Sequence, residues 1–313
     1  MAKITKASPF APGVLPEVAP LDGVRFATAQ AGIRYQNRTD LMVAVMDEGT
    51  TAAGVLTQSK TCSAPVLWCR KSLKHGTARI LVVNSGNANA FTGMKGRAAV
   101  EATAEAAAEA AGCKDKDVYI ASTGVIGEPL DPAKFTHLLA NLAQTAVPDG
   151  FEAAARAIMT TDTYAKLATR TALIGGTPVS ISSFCKGAGM IAPDMATMLC
   201  FIFTDAAISA GALQDLLNEH VKTTFNSMTV DGDTSTSDTC LLFATGAAAA
   251  RGQKPVTKAK SKRLKDFSNA LHDLMRDLAI QVAKDGEGIS KFVTFIVEGA
   301  ESVSAARKIA LSC

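Results

Sequence analysis

Lys186-Gly-Ala-Gly-Met-Ile-Ala-Pro-Asp-Met-Ala-Thr-Met-Leu-Cys200 runs from a glycine-rich loop into the apolar stretch Thr197-Met-Leu-Cys-Phe-Ile-Phe203. Gly187 and Gly189 flank one small residue, and Pro193 follows. The pattern predicts a constrained loop feeding a buried strand whose first residue is Thr197. A threonine there serves the strand through its β-propensity. It also carries chemistry: a cut at Ala196–Thr197 would leave Thr197 N-terminal, with its own α-amine as base for its hydroxyl.

Working outward, 313 residues are long enough for a large core in one domain or two. With 48% hydrophobic and 19% charged residues, the chain reads as globular rather than disordered. A net charge of +3, with one dense basic run from Lys254 to Lys265, gives no nucleic-acid footprint. The cysteines at 62, 69, 113, 185, 200, 240 and 313 form no CxxC pair and no zinc spacing, so free thiols in a reducing, cytoplasmic compartment are expected. No apolar run approaches the roughly 20 residues that span a bilayer, so no membrane partner is expected.

Residues 1–20 carry four prolines and read as an extended lead-in. Strands are predicted over 41–46, 79–83, 118–121, 239–243 and 291–297, with a turn-rich segment from Gly49 to Gly54. Helices are predicted over 96–111 with Gly112 just past the end, from Asp131-Pro132 to Ala146, over 151–159, from a Ser209 cap to His220, over 261–284, and over 300–311. Leu264, Phe267, Leu271, Leu274, Leu278 and Val282 recur at three- and four-residue steps, the clearest amphipathic face in the chain. Gly175-Gly176 marks a hairpin that leads into the Lys186 loop. Strands and helices mix without strict alternation, which predicts a layered α/β fold.

Several residues carry charge or hydroxyls at loop mouths. Lys186 lies eleven positions before Thr197, and Glu287 sits between two glycines at a helix end, where the dipole disfavours a carboxylate. Asp231-Gly-Asp233 with Asp238 lacks the twelve-residue calcium loop and its terminal Glu, so no metal is expected. Gly187-Ala-Gly189 matches neither phosphate-loop pattern. The four histidines, at 75, 137, 220 and 272, are scattered and support no Ser-His-Asp arrangement.

Six stretches together resemble one family, in its order: Asn84-Ser-Gly-Asn-Ala-Asn89, Ser122-Thr-Gly-Val-Ile-Gly127, Met159-Thr-Thr-Asp-Thr163, Lys186-Gly-Ala-Gly-Met-Ile with Ala-Thr-Met-Leu199, Val230-Asp-Gly-Asp-Thr-Ser-Thr236 and Asp285-Gly-Glu-Gly288. They are similar to the ornithine/glutamate N-acetyltransferases of arginine biosynthesis. The resemblance implies an N-terminal-nucleophile-like sandwich, sheets stacked between helical layers. It also implies self-cleavage at Ala196–Thr197 into an α segment, residues 1–196, and a β segment, residues 197–313, that share one active site. Members of the family usually continue past this chain's last residue, so a missing C-terminal segment is expected.

The resemblance assigns Thr197 as nucleophile, Thr123 and Gly124 as the oxyanion hole, and Thr163, Lys186, Thr197 and Glu287 as substrate contacts. Which threonine of Thr160–Thr163 touches substrate stays open. The implied reaction moves acetyl from N-acetylornithine to glutamate through acetyl-Thr197, with acetyl-CoA a second donor in some members and no cofactor. The implied assembly is a heterotetramer of two α and two β chains. Two rivals remain: a related amidohydrolase or aminopeptidase, in which water resolves the acyl-enzyme, and an uncleaved, truncated binding protein.

Overall fold

The structure is a computed structural model that describes residues 6–191 and 198–313. In chain order it contains β1 (Val24–Ala29), β2 (Leu41–Met46), β3 (Thr51–Leu56), α1 (Ala64–Ser72), β4 (Ile80–Asn87), α2 (Gly93–Ala111) and β5 (Val118–Val125). There follow α3 (Leu139–Thr145), α4 (Phe151–Ala157), β6 (Lys166–Ile174), β7 (Thr177–Lys186) and β8 (Leu199–Thr204). The last elements are α5 (Ala210–His220), β9 (Thr239–Ala244), α6 (Lys265–Ala283) and α7 (Val303–Ser312).

Two sheets form, one ordered β1-β2-β4-β5 and the other β3-β9-β8-β7-β6. Period-2 alternation explains how they stack. In β8, Leu199, Phe201 and Phe203 join the core between the sheets, while Cys200 and Ile202 face the α5 and α6 side. In β4, Leu81 and Val83 point into the same inter-sheet core, and Ile80 and Val82 pack under α2 and α3. Both sheets are therefore buried on both faces, which is why their central strands read as continuous apolar runs. The result is the expected layered α/β sandwich, helices outside and sheets within. The inter-sheet core is aromatic: Phe26, Phe151, Phe184, Phe203 and Phe243 meet with ring centroids 4.5–6.3 Å apart. Each buried ring is worth about 1.5–3 kcal/mol over exposure.

In the second sheet, β9 and β8 come from after residue 197, yet they lie between β3 on one side and β7 on the other. Neither segment has a sheet of its own there.

Three expectations need correction. The segment from Gly49 to Gly54 is not simply a turn: Thr51 opens β3, which pairs with β9 along its whole length. The helix from Asp131 breaks into two 3-10 turns, Pro132–Lys134 and Thr136–Leu138, before α3 begins. Phe135, between them, has a non-helical backbone (φ −137°) and a fully buried side chain, so the break turns it into the core. Residues 291–297 form no strand, because no sheet edge among the described residues pairs with them. The Ser209 cap does form, accepting a hydrogen bond from the Ala212 N–H, and Gly112 ends α2 in the left-handed region. The strand expected from Thr197 is seen from Leu199; Thr197 and Ala196 lie outside the described residues.

Candidate active site

The polar motifs converge on a set of buried charges. Lys166 is the first residue of β6 and is wholly buried. Its Nζ lies 2.7 Å from Asp162 Oδ1 and 2.6 Å from Asp285 Oδ2. Asp162 also accepts the Gly187 N–H at 2.7 Å and the Thr160 N–H at 3.0 Å. Asp285 accepts the Thr163 N–H at 2.9 Å and the Thr163 hydroxyl. Thr163 Oγ1 in turn accepts the Ser8 N–H at 2.9 Å. Lys186, the last residue of β7 and also buried, holds its Nζ 3.8 Å from Asp162 Oδ2.

Charged groups are this deeply buried only when paired. Burial pushes the Asp162 carboxyl up, but Lys166 and Lys186 outweigh it and hold the group well below the ordinary carboxylate range. Burial also pulls Lys166 down, and Asp162 with Asp285 more than reverses this. For Lys186 the balance tips the other way: burial lowers its pKa, and Asp162 offsets this only in part. Lys186 is the less fully neutralised of the two lysines.

An acidic group faces the same loop. The Glu287 N–H donates to the Ala188 carbonyl at 2.7 Å. A Cβ on Gly189 would lie 3.1 Å from Glu287 Oε1 and 3.2 Å from Asp231 Oδ2, so glycine lets both carboxylates close on the loop. Asp231 also accepts the Met190 N–H at 3.0 Å, and Ile191 and Val230 exchange backbone hydrogen bonds of 2.7 Å. The 186–191 loop thus has a buried cation at its start and two carboxylates along its side.

Thr123 and Gly124 lie on the other sheet, at the end of β5. Gly124 has φ +127°, and a Cβ there would stand 2.3 Å from the Gly86 carbonyl carbon, so close packing of β4 on β5 demands glycine. Beside them, the Ser122 hydroxyl donates to Asn84 Oδ1 at 2.5 Å. Ser85, paired with Thr123, donates to the Ala157 carbonyl at 2.8 Å. That bond ties the β4–β5 ends to the segment leading into Thr160–Thr163.

Met198, next after Thr197, donates its N–H to Asp238 Oδ1 at 2.9 Å. Burial pushes the Asp238 carboxyl well above its ordinary range, and its Oδ2 has no partner among the described residues.

Of the residues singled out in the sequence, the structure brings Thr163, Lys186 and Glu287 to one place. It links Thr123 and Gly124 to that place through Ser85 and Ala157, and leaves Thr197 and Ala196 undescribed. Sequence reasoning missed Asp162, Lys166 and Asp285 as a unit. The available signal was a lysine set inside the apolar run Ala165-Lys-Leu-Ala168, four residues after Asp162. His220 and His272 bond to Ser268 and Thr223 among the outer helices, away from these groups. Two surface pockets, one of about 480 Å³ beside Leu173 and Arg263 and one of about 400 Å³ beside Leu56 and Arg70, contain none of the candidate residues. No helix among the described residues is long and apolar enough to cross a membrane.

Residues 25–313 match the model of the ArgJ family. The arginine biosynthesis bifunctional protein ArgJ of Brucella melitensis is 60% identical over 305 residues, 97% of this chain and 74% of that protein. The chain belongs to the ArgJ family. A solved ornithine acetyltransferase from Mycobacterium tuberculosis, complexed with ornithine, is 35% identical with a TM-score of 0.50, over 56% of this chain and 93% of that one. The L-aminopeptidase D-Ala-esterase/amidase of Ochrobactrum anthropi, a variant of the Ntn hydrolase fold, is 12% identical with a TM-score of 0.51, over 90% of this chain and 89% of that one. This last likeness shows the fold: the ArgJ sandwich seen here is of the Ntn hydrolase kind.

Proposed function

We propose that this chain is a glutamate N-acetyltransferase of arginine biosynthesis, which moves acetyl from N-acetylornithine to glutamate through acetyl-Thr197. Self-cleavage at Ala196–Thr197 first frees the Thr197 amine. A free α-amine has a pKa of about 7.7–8.0, suited to taking the hydroxyl proton near neutral pH. Thr197 Oγ1 adds to the acetyl carbonyl, and the Thr123 hydroxyl and Gly124 N–H stabilise the oxyanion. Ornithine leaves with the proton, and the glutamate amine attacks the acetyl ester in the second half-reaction. Lys186 binds the α-carboxylate beside Thr163, and Glu287 faces the amine end. Acetyl-CoA serves as a further donor. The working protein is a cytoplasmic heterotetramer of two residue 1–196 chains and two chains from residue 197 onward.

The observation that carries this reading is the charge layout of the 186–191 loop. A buried, under-neutralised cation and exposed carboxylates flank one short loop that leads to Thr197, and an amino-acid substrate needs both signs. Family membership supports the reaction. The solved ornithine acetyltransferase chain is 93% covered by 56% of this one, and so is shorter than this chain, as one product of an internal cut would be.

The test has two parts. A denaturing gel of the parent should show two fragments, and Thr197→Ala one chain without transferase activity. N-acetylornithine should then lose acetyl to glutamate; acetate formed equally without glutamate would support the amidohydrolase instead. Lys186→Met and Glu287→Gln should each raise KM, since one charge-assisted contact is worth about 1.5–3 kcal/mol, or roughly ten- to a hundredfold.

A further inference from the structure

Lys186 does not have Asp162 to itself. Asp162 gives Oδ1 to Lys166 at 2.7 Å and keeps Oδ2 3.8 Å from Lys186, beyond hydrogen-bond length. Lys166 is held on its far side by Asp285 at 2.6 Å, and Asp285 is fixed by Thr163. The Gly187 and Thr160 N–H groups also donate to the carboxylate, and together with Lys166 they hold it short of Lys186. Every group in the set is nearly or wholly buried, so each charge acts with little screening by water.

We propose that Lys166 is a positioning residue that competes with Lys186 for Asp162 and so keeps the Lys186 ammonium free for the substrate carboxylate. This rests on Lys186 being the carboxylate clamp of the proposed function. The two lysines and two aspartates cancel in charge. A substrate carboxylate arriving at Lys186 adds the contact that Asp162 withholds. The groups that face Lys186 are Asp162, Lys166, Asp238 and Glu287; Asp162 is the nearest carboxylate and is the one that Lys166 draws away. Without the Lys166 ammonium, Asp162 loses its shorter partner and closes on Lys186. The substrate would then have to displace an internal carboxylate. That penalty falls on ground state and transition state alike, so it appears in KM rather than kcat.

The experiment compares KM and kcat for N-acetylornithine, and its Kd by calorimetry in the non-reacting Thr197→Ala chain. Lys166→Met should raise KM and Kd about tenfold or more with kcat within about threefold. Lys166→Met with Asp162→Asn should bring KM back toward the parent, because the competing carboxylate is gone while the Asn oxygen can still accept the Gly187 N–H. A merely structural lysine predicts the reverse: a double variant worse than the single. If Lys166→Met does not fold, Asp162→Asn alone decides, since Lys166 then keeps Asp285. An unchanged or lowered KM supports the proposal, and a raised one overturns it. A Lys166→Met chain with the parent's KM, or one that loses kcat instead, overturns it as well. Lys186→Met separates the two readings. If that variant leaves KM unchanged, the clamp itself is wrong; if it raises KM while Lys166→Met does not, only the competition is wrong.

Discussion

Leu199-Cys-Phe-Ile-Phe-Thr204 and Phe292-Val-Thr-Phe-Ile-Val297 are close in composition and opposite in fate. The first is β8, buried along its whole length, with β7 antiparallel on one side and β9 parallel on the other. The second forms no ladder, and Val293, Phe295 and Ile296 are 61%, 55% and 78% exposed. Both runs have the β-branched and aromatic residues that favour strands. An apolar run says what a segment can bury; it does not supply the edge that accepts its N–H and C=O groups. In β8 that edge is present twice. Past Asp285, the last charged residue anchored in the core, the chain leaves it: Glu287 and Gly288 are already exposed.

The comparison breaks first if the burial of β8 is not what stabilises it. Phe203→Ala removes a ring that stacks on Phe184 and Phe243, and should cost about 3–5 kcal/mol in urea unfolding. A second test sharpens the role of the charges beside β8. Asp162 is depressed in the folded state, so its contribution is complete above about pH 4 and is lost as the pH falls. About 2–3 kcal/mol of stability should vanish as the pH falls from about 4 toward the depressed folded-state pKa, and Asp162→Asn should abolish that part of the slope. Ile202→Val, one methylene in the same strand, should cost about 1 kcal/mol. Ile296→Ser, a harsher change to the same residue type, should stay within about 0.5 kcal/mol. A loss above about 2 kcal/mol there would mean that residues 291–297 are buried in solution after all.

The sequence made β8, β9, α2, α5 and α6 legible because each has one dominant signal: a continuous apolar run, a capping serine, a closing glycine, or a repeat at three and four residues. It failed where tertiary packing overrides local pattern. Phe135 breaks a well-signalled helix in order to reach the core. Thr51-Ala-Ala-Gly54 looks like a turn but pairs with β9, and Gly54 leaves room there for the Leu73 and Leu241 side chains. The same division holds for the site. Lys186 and Glu287 stand out beside glycines. The pairing of Lys166 with Asp162 leaves a local trace, a lysine in an apolar run four residues on, but its partner Asp285 lies 119 residues away and has none.

The interleaving of β8 and β9 between β3 and β7 has a kinetic meaning. While the backbone is whole, the second sheet closes within one molecule, at a rate that does not depend on how dilute the protein is. If Ala196–Thr197 is cut as proposed, the same four strands belong to two molecules, joined by two ladders and a shared core. Unfolding then becomes dissociation as well, and refolding becomes an encounter between partners. A chain that cleaves itself after folding would thus be assembled once, by a route that its own product cannot retrace at low concentration.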